Sequence, residues 1–278
     1  MIKGRGLLTI AALMWAILQG PATAAPGGLV TDSFQGRERI VYAPQNLADD
    51  SHRALVIVLH GALGNAGLIA RAGPEHGLNL DAAAEAHGFV VAYLNGTPVA
   101  LRQGPDRLGW NAGACCGQPV ARGVDDMGYI RAVVADLTAR YGIDPKRVFG
   151  LGHSNGAMMT QRLVCEAGLY AAAVAVSGPL EIPAQTCPAA KGARVLAIHG
   201  EDDRIVPVEG GRAATPMINA VFASEAQTQA ILQRSGADYT LQLVKGAGHP
   251  VDTIDAALKQ AGRPTVAETA VQFFGLDQ

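Results

Sequence analysis

Five residues carry the strongest chemical signal in the chain. Gly152, His153, Ser154, Asn155 and Gly156 follow the apolar run Val148 to Leu151 and open a helical pattern that begins at Asn155. A G-x-S-x-G segment between a strand and a helix holds a serine hydroxyl out on a turn too tight for neighbouring side chains, with strain in the serine's own backbone. A hydroxyl attacks only when a base takes its proton, so a histidine steadied by a carboxylate must stand elsewhere in the chain. Where this turn occurs, the partners follow in the order serine, acid, histidine. Of the seven histidines, only His249 follows the last strand candidate, in the loop Gly246, Ala247, Gly248, His249. His52, His60, His76, His87 and His199 precede the acid or Ser154 itself, and His153 adjoins the nucleophile. His249 is therefore the expected base. The acid should follow the run Val195 to His199, where Glu201, Asp202 and Asp203 crowd together. Spacing leaves the three open, although Arg204, Ile205, Val206 and Pro207 suggest a fixed turn after Asp203. Asp125 and Asp126 lie upstream of Ser154 and before a helix pattern, so capping that helix is their expected use.

Acyl transfer also requires donors for the oxyanion. One is the backbone N–H of the residue after the nucleophile, Asn155; the other comes from a loop after an early strand. The segment His60, Gly61, Ala62, Leu63, Gly64 follows the apolar run ending at Leu59, and Ala62 is the expected second donor.

The elements that must position these groups are legible as short apolar runs alternating with helical patterns. Strand candidates are Arg39 to Tyr42, Ala54 to Leu59, Phe89 to Leu94, Val148 to Leu151, Ala171 to Ser177, Val195 to His199 and Tyr239 to Val244. Several lack polar alternation, as strands covered on both faces do. Helix candidates are Leu80 to His87, Asp126 to Tyr141, Asn155 to Glu166, Ser224 to Arg234 and Val266 to Phe274. The alternation predicts an α/β fold, a mainly parallel central sheet with helices on both faces. Ligands in such folds gather at the carboxyl ends of the strands, where the candidate residues lie.

Composition narrows the classes. Hydrophobic residues make up 49% of the 278 and charged ones 17%, which argues against disorder. A net charge of -2 leaves no basic excess for a phosphate backbone, so nucleic acid is not an expected partner. Lys3 and Arg5, the apolar run Leu7 to Leu18, and Ala22, Thr23, Ala24 read as a signal peptide over residues 1–25, with one catalytic domain over 26–278. The apolar run reaches only about 18 Å as a helix, short of a hydrocarbon core of about 30 Å, so stable membrane insertion is not expected. Export would carry the chain to the periplasm or the outside, where its four cysteines are expected to form two disulfides. Cys165 falls late in the helix behind Ser154 and Cys187 in the connection returning to Val195, so these two are expected to pair and Cys115 to join Cys116. The cysteines lack metal-ligand spacing, and neither metal nor organic cofactor is expected.

Taken together, the motifs resemble the α/β-hydrolase family that groups poly(3-hydroxybutyrate) depolymerases with feruloyl and acetylxylan esterases, the LpqC-like branch of carbohydrate esterase family 1. The resemblance runs from about Ala54 onward. It rests on Leu59 to Ala62; Gly109, Trp110, Asn111 through Cys115, Cys116, Gly117; Val124 to Asp126; Gly152 to Met158; His199, Gly200 leading to Asp203, Val206 and Pro207; and Gly248, His249. It implies an α/β-hydrolase fold with Ser154 as nucleophile, His249 as base and Asp203, among the three carboxylates, as acid. Members often follow the histidine with Trp, Pro and Gly; here Pro250, Val251 and Asp252 stand instead, which implies a different pocket near His249. Trp110 is expected to bind substrate, with burial of its own loop as the competing account. The implied activity is hydrolysis of carboxylic esters through an acyl-enzyme, on soluble hydroxyalkanoate oligomers or feruloyl or acetyl esters. Other readings are depolymerisation of a polymeric polyester, a peptidase or acyltransferase on the same triad, and a non-catalytic binding module on a hydrolase shell.

Overall fold

Alternate residues of the run Leu55 to Leu59 face two different cores. Leu55, Ile57 and Leu59 pack into one apolar cluster, while Val56 and Val58 pack into the other, and all five are fully buried. Such a strand has no polar face because it has no wet face. The computed structural model describes residues 28–45, 47, 53–73, 76–100, 107–183, 185–213 and 220–277; the expected signal segment lies outside them.

Eight strands form the central sheet: β1 (Gly28–Phe34), β2 (Arg37–Ala43), β3 (Arg53–Leu59), β4 (Val90–Leu94), β5 (Ile143–His153), β6 (Ala172–Val176), β7 (Arg194–Gly200) and β8 (Asp238–Val244). Their order across the sheet is β1-β2-β4-β3-β5-β6-β7-β8. β1 pairs antiparallel with β2, and β2 with β4; the remaining pairs are parallel. The main helices are α1 (Ala66–Ala70), α2 (Asp81–His87), α3 (Asp126–Tyr141), α4 (Asn155–Arg162), α5 (Glu225–Arg234), α6 (Val251–Gln260) and α7 (Val266–Phe274). A π-helical turn, Leu163–Ala167, prolongs α4.

Three of these elements are not visible as such in the sequence: β1, α6 and the five-residue α1, which is too short to show a helical period. β1 reads Gly-Leu-Val-Thr-Asp-Ser-Phe and its side chains alternate between exposed and half-buried, so it presents no continuous apolar run. It is an edge strand held by its ladder to β2 and by the Asp32 carboxylate, which Arg39 engages through two nitrogens at 2.6 and 3.0 Å. α6 begins directly after the His249 loop with Pro250 at its N-cap and no side-chain cap, so the usual start signal is missing. Its Val251, Ile254 and Leu258 are nevertheless buried at helical spacing.

The structure joins Cys165 to Cys187 and Cys115 to Cys116. The first bridge is buried and closes a span of 22 residues, tying the middle of the π-helical turn to the segment that leads into β7. Closing a loop of that length restricts the unfolded chain by an amount equivalent to about 3 kcal/mol. Replacing both Cys165 and Cys187 by Ser should accordingly lower the unfolding free energy by about 3 kcal/mol in urea titrations; an unchanged midpoint and slope would contradict it.

Candidate active site

The turn at the carboxyl end of β5 is shaped by what cannot fit there. A side-chain carbon added at Gly152 would strike the carbonyl of Gly156, and one at Gly156 would strike the carbonyl of Leu59. Ser154 itself sits at φ 54°, ψ -123°, a conformation that L residues adopt only under strain. Its N–H donates to the Val176 carbonyl at 2.8 Å, and its carbonyl accepts from Met158 at 3.0 Å. Strain is thus offset by two neighbouring elements, and the hydroxyl is left facing a cavity.

His249 reaches that hydroxyl from the loop between β8 and α6. Its Nε2 lies 2.9 Å from Ser154 Oγ, and its Nδ1 lies 2.7 Å from Asp203 Oδ2. A carboxylate only accepts, so Nδ1 carries the proton and Nε2 of the neutral ring accepts from the serine. Asp203 stands in the turn after β7, where its Oδ1 accepts from the backbone N–H groups of Ile205 and Val206 at 2.8 and 2.9 Å. Burial would raise the Asp203 carboxyl, but hydrogen bonds from His199 and His249 hold it far below the usual carboxylate range. Glu201 and Asp202, its competitors in sequence, are both exposed. The fixed turn suggested by residues 204–207 is the one that Asp203 itself ties.

Ala62, one of the two expected oxyanion donors, lines the cavity beside Ser154, and Asn155, the other, opens α4. Gly61 is packed so closely on the nucleophile turn that a side chain there would approach Ser154 Cβ to 3.3 Å. Among the described residues, neither the Ala62 nor the Asn155 N–H has a hydrogen-bond partner. The loop is braced behind them. His60 donates from Nδ1 to Gly61 O at 2.7 Å and accepts at Nε2 from Gly96 N at 3.2 Å, which requires a neutral ring. Burial agrees with this, pushing its pKa down to about 4.

Trp110 departs from its expected place. It is fully buried and is not among the residues lining the cavity. Its indole N–H donates to the His60 carbonyl at 2.9 Å, and its backbone N–H and C=O bond the Asn155 side-chain amide at 2.7 and 3.1 Å. Trp110 therefore fastens the loop at His60 with its ring and the start of α4 with its backbone, and does not line the cavity. Asp125 caps α3 by accepting from Gly128 N at 2.8 Å, whereas Asp126 is buried, pairs with Arg37 and accepts from Asn111 N at 2.6 Å. One of the two expected caps is thus a support for the loop after Trp110.

Three groups near the site escaped the sequence reading. His76 lines the cavity from before α2, together with Asn65 and Leu68 of the α1 segment. His153 donates from Nε2 to the carbonyl of His249 at 2.9 Å, its ring 4.9 Å from that of His249; burial, and then the neighbouring His249, push its pKa down to about 3 and keep it neutral. His199, at the end of β7, bonds both Asp203 and the buried Glu225 at the start of α5. The resemblance marks His199 as part of the segment leading to Asp203; Glu225 carries no signal, since an acidic residue in a first helical turn is ordinarily solvated.

The cavity beside Ser154 measures about 240 Å³ and is lined by His60, Gly61, Ala62, Leu78, His153 and His249 with the residues just named. Strand order, nucleophile turn and residue sequence define an α/β hydrolase. The chain belongs to the phospholipase/carboxylesterase family, whose profile matches residues 46–249, and is a carboxylic ester hydrolase of that family. It is 33% identical over 259 residues to NocK of Nocardia uniformis subsp. tsuyamanensis, a protein named as an esterase, covering 78% of this chain and 69% of that one. It is 29% identical over 179 residues to feruloyl esterase B of Piromyces equi, covering 63% of this chain but only 31% of that longer enzyme. The fold is shared with LpqC, a poly(3-hydroxybutyrate) depolymerase from Bordetella parapertussis, at a TM-score of 0.52 and 19% identity over 88% of this chain and 93% of that one. It is shared also with acetyl xylan esterase from Aspergillus awamori, at 0.59 and 17% over 90% and 100%.

Proposed function

We propose that the protein is an exported serine esterase that cleaves soluble esters of small acyl groups, with Ser154 as nucleophile, His249 as base and acid, and Asp203 as the carboxylate that orients it. The observation carrying this reading is the continuous chain Ser154 Oγ, His249, Asp203, with spacings of 2.9 and 2.7 Å, at the edge of a cavity. Ser154 Oγ gives its proton to His249 Nε2 as it bonds the ester carbonyl carbon, and the carbonyl oxygen becomes an oxyanion facing the N–H groups of Ala62 and Asn155. The imidazolium then protonates the departing alkoxide, leaving an acyl-Ser154. Water repeats the sequence: His249 takes its proton, the hydroxide bonds the acyl carbon, and Ser154 leaves with the proton returned.

Cavity size supports the substrate class. A volume of about 240 Å³ admits an acetyl, hydroxybutyryl or single-ring feruloyl group but lies below the usual range of sites that enclose a drug-sized ligand, roughly 300–1,000 Å³. The names of the relatives point the same way. Residues 1–25 supply the export signal in this reading, and among the described residues no helix is long and apolar enough to cross a membrane. The test is product analysis on hydroxybutyrate oligomers, feruloylated sugars and acetylated xylan oligomers. Release of the corresponding small acid from at least one is expected. Clearing of crystalline polyhydroxybutyrate as fast as oligomer cleavage, or turnover confined to long-chain esters, would overturn the size assignment.

A further inference from the structure

Behind the triad lies a second imidazole that the reaction as written does not use. His199 is fully buried, and each of its ring nitrogens faces only acceptors: Nδ1 lies 2.8 Å from Glu225 Oε1, and Nε2 lies 3.1 Å from Asp203 Oδ2 and 2.9 Å from the Val206 carbonyl. A neutral ring has one N–H and would turn a lone pair onto one of these oxygens. With Asp203 and Glu225 both ionised, both contacts are hydrogen bonds only if both nitrogens carry protons. Burial opposes that charge, but the hydrogen bonds to Asp203 and Glu225 outweigh it and push the His199 pKa up to about 9. Glu225 is committed in turn, since its Oε2 accepts from Tyr239 OH at 2.7 Å.

We propose that His199 is a positioning residue for ester hydrolysis: an imidazolium clamped between Glu225 and Asp203 that fixes the Asp203 carboxylate toward His249 and tempers the basicity which that carboxylate confers. The proposal rests on the triad reading above. Asp203 Oδ2 is shared between His249 and His199, and its Oδ1 is taken by two backbone N–H groups, so the carboxylate cannot rotate without losing a donor. Two carboxylates and one imidazolium leave the cluster with one net negative charge. That charge becomes balanced when His249 gains its proton in the transition state, so the protonated base is supported without an excess of negative charge that would hold its proton in the free enzyme.

Other titratable groups face the cluster. Glu181 lies on the Glu225 side, its own carboxyl pushed up to about 7 by burial and further by Glu225. On the His249 side are Ser154, the neutral His153, and His76 with Asp252 and Asp255 acting on it. None of these is bonded to His199. The sign of its effect follows from order along the chain of contacts. His199 stands directly behind Asp203, and Glu225 stands behind His199. Replacing the imidazolium by a neutral amide removes the nearer positive charge whether or not Glu225 then takes up a proton, so His249 holds its own proton to higher pH.

The test is His199→Gln, which can still donate to Asp203. The acid limb of kcat/KM should move to higher pH by about one unit, judged from a single charge at this range in partly screened surroundings. KM on the plateau should stay within about twofold, because no substrate contact changes. Histidine ¹⁵N spectra of the wild-type protein should show one ring doubly protonated at pH 8, absent from the variant. A uniform loss of rate with an unmoved limb, or a wild-type spectrum in which His199 is neutral at pH 8, would overturn the proposal; the spectrum decides the matter even if the variant fails to fold. Stoichiometric labelling by a fluorophosphonate separates the two readings. A label on Ser154 with an unmoved limb sinks the His199 role alone, whereas a label on another residue sinks the triad reading and this role with it.

Discussion

Ser154→Ala should lower kcat for ester hydrolysis by about four powers of ten or more, with the fold unchanged. The hydroxyl is the only atom removed, and among the described residues its only partner is His249 Nε2. Nothing in the packing of the turn depends on it, because Gly152, Gly156 and the backbone bonds to Val176 and Met158 define that geometry. What survives should be the slow attack of water in a site that still presents the Ala62 and Asn155 N–H groups. Circular dichroism and the urea midpoint should match those of the wild type, and rates on a nitrophenyl ester read the loss. Turnover within tenfold of wild type would place the nucleophile elsewhere.

The sequence made the site more legible than the frame around it, for physical reasons that differ between residues. Ser154 announces itself because a strained turn admits only glycine two positions to either side. His249 is recoverable by elimination, since the order of the catalytic residues follows the order of strands and leaves one histidine after the last of them. Asp203 was separable from Asp202 and Glu201 only through the resemblance, because three adjacent carboxylates differ in where the turn points them, not in type. Trp110 shows the opposite limit. A tryptophan in a motif loop beside the nucleophile has the composition of a substrate platform, yet three hydrogen bonds and complete burial make it a brace. Burial of a loop side chain depends on contacts made 45 and 50 residues away in sequence, with Asn155 and His60, and local pattern does not encode them. The same holds for Glu225, whose partners His199 and Tyr239 come from two other strands. β1 was missed because an edge strand with half-exposed side chains lacks the apolar run by which interior strands are recognised.

Asp203→Asn should depress kcat by roughly three to four powers of ten, while Asp202→Asn stays within about twofold of wild type. The carboxylate has four donors directed at it, two imidazole N–H groups at Oδ2 and two backbone N–H groups at Oδ1. An amide can present an oxygen to only one of these pairs. If its oxygen takes the backbone donors, its NH₂ faces the two imidazoles, and His249 must shift its proton to Nε2, where it blocks acceptance from Ser154. If its oxygen faces the imidazoles, the NH₂ meets the half-buried Ile205 and buried Val206 N–H groups, and these donors lose their acceptor, at a cost of about 1–3 kcal/mol for the buried one. In either orientation the negative charge that supports the His249 imidazolium is gone. Asp202 makes no such contacts: its side chain is exposed, and its backbone N–H, which bonds Ala247 O at 2.9 Å, survives the substitution. The pair therefore isolates the carboxylate from its neighbourhood, and equal losses in the two variants would remove Asp203 from the catalytic chain.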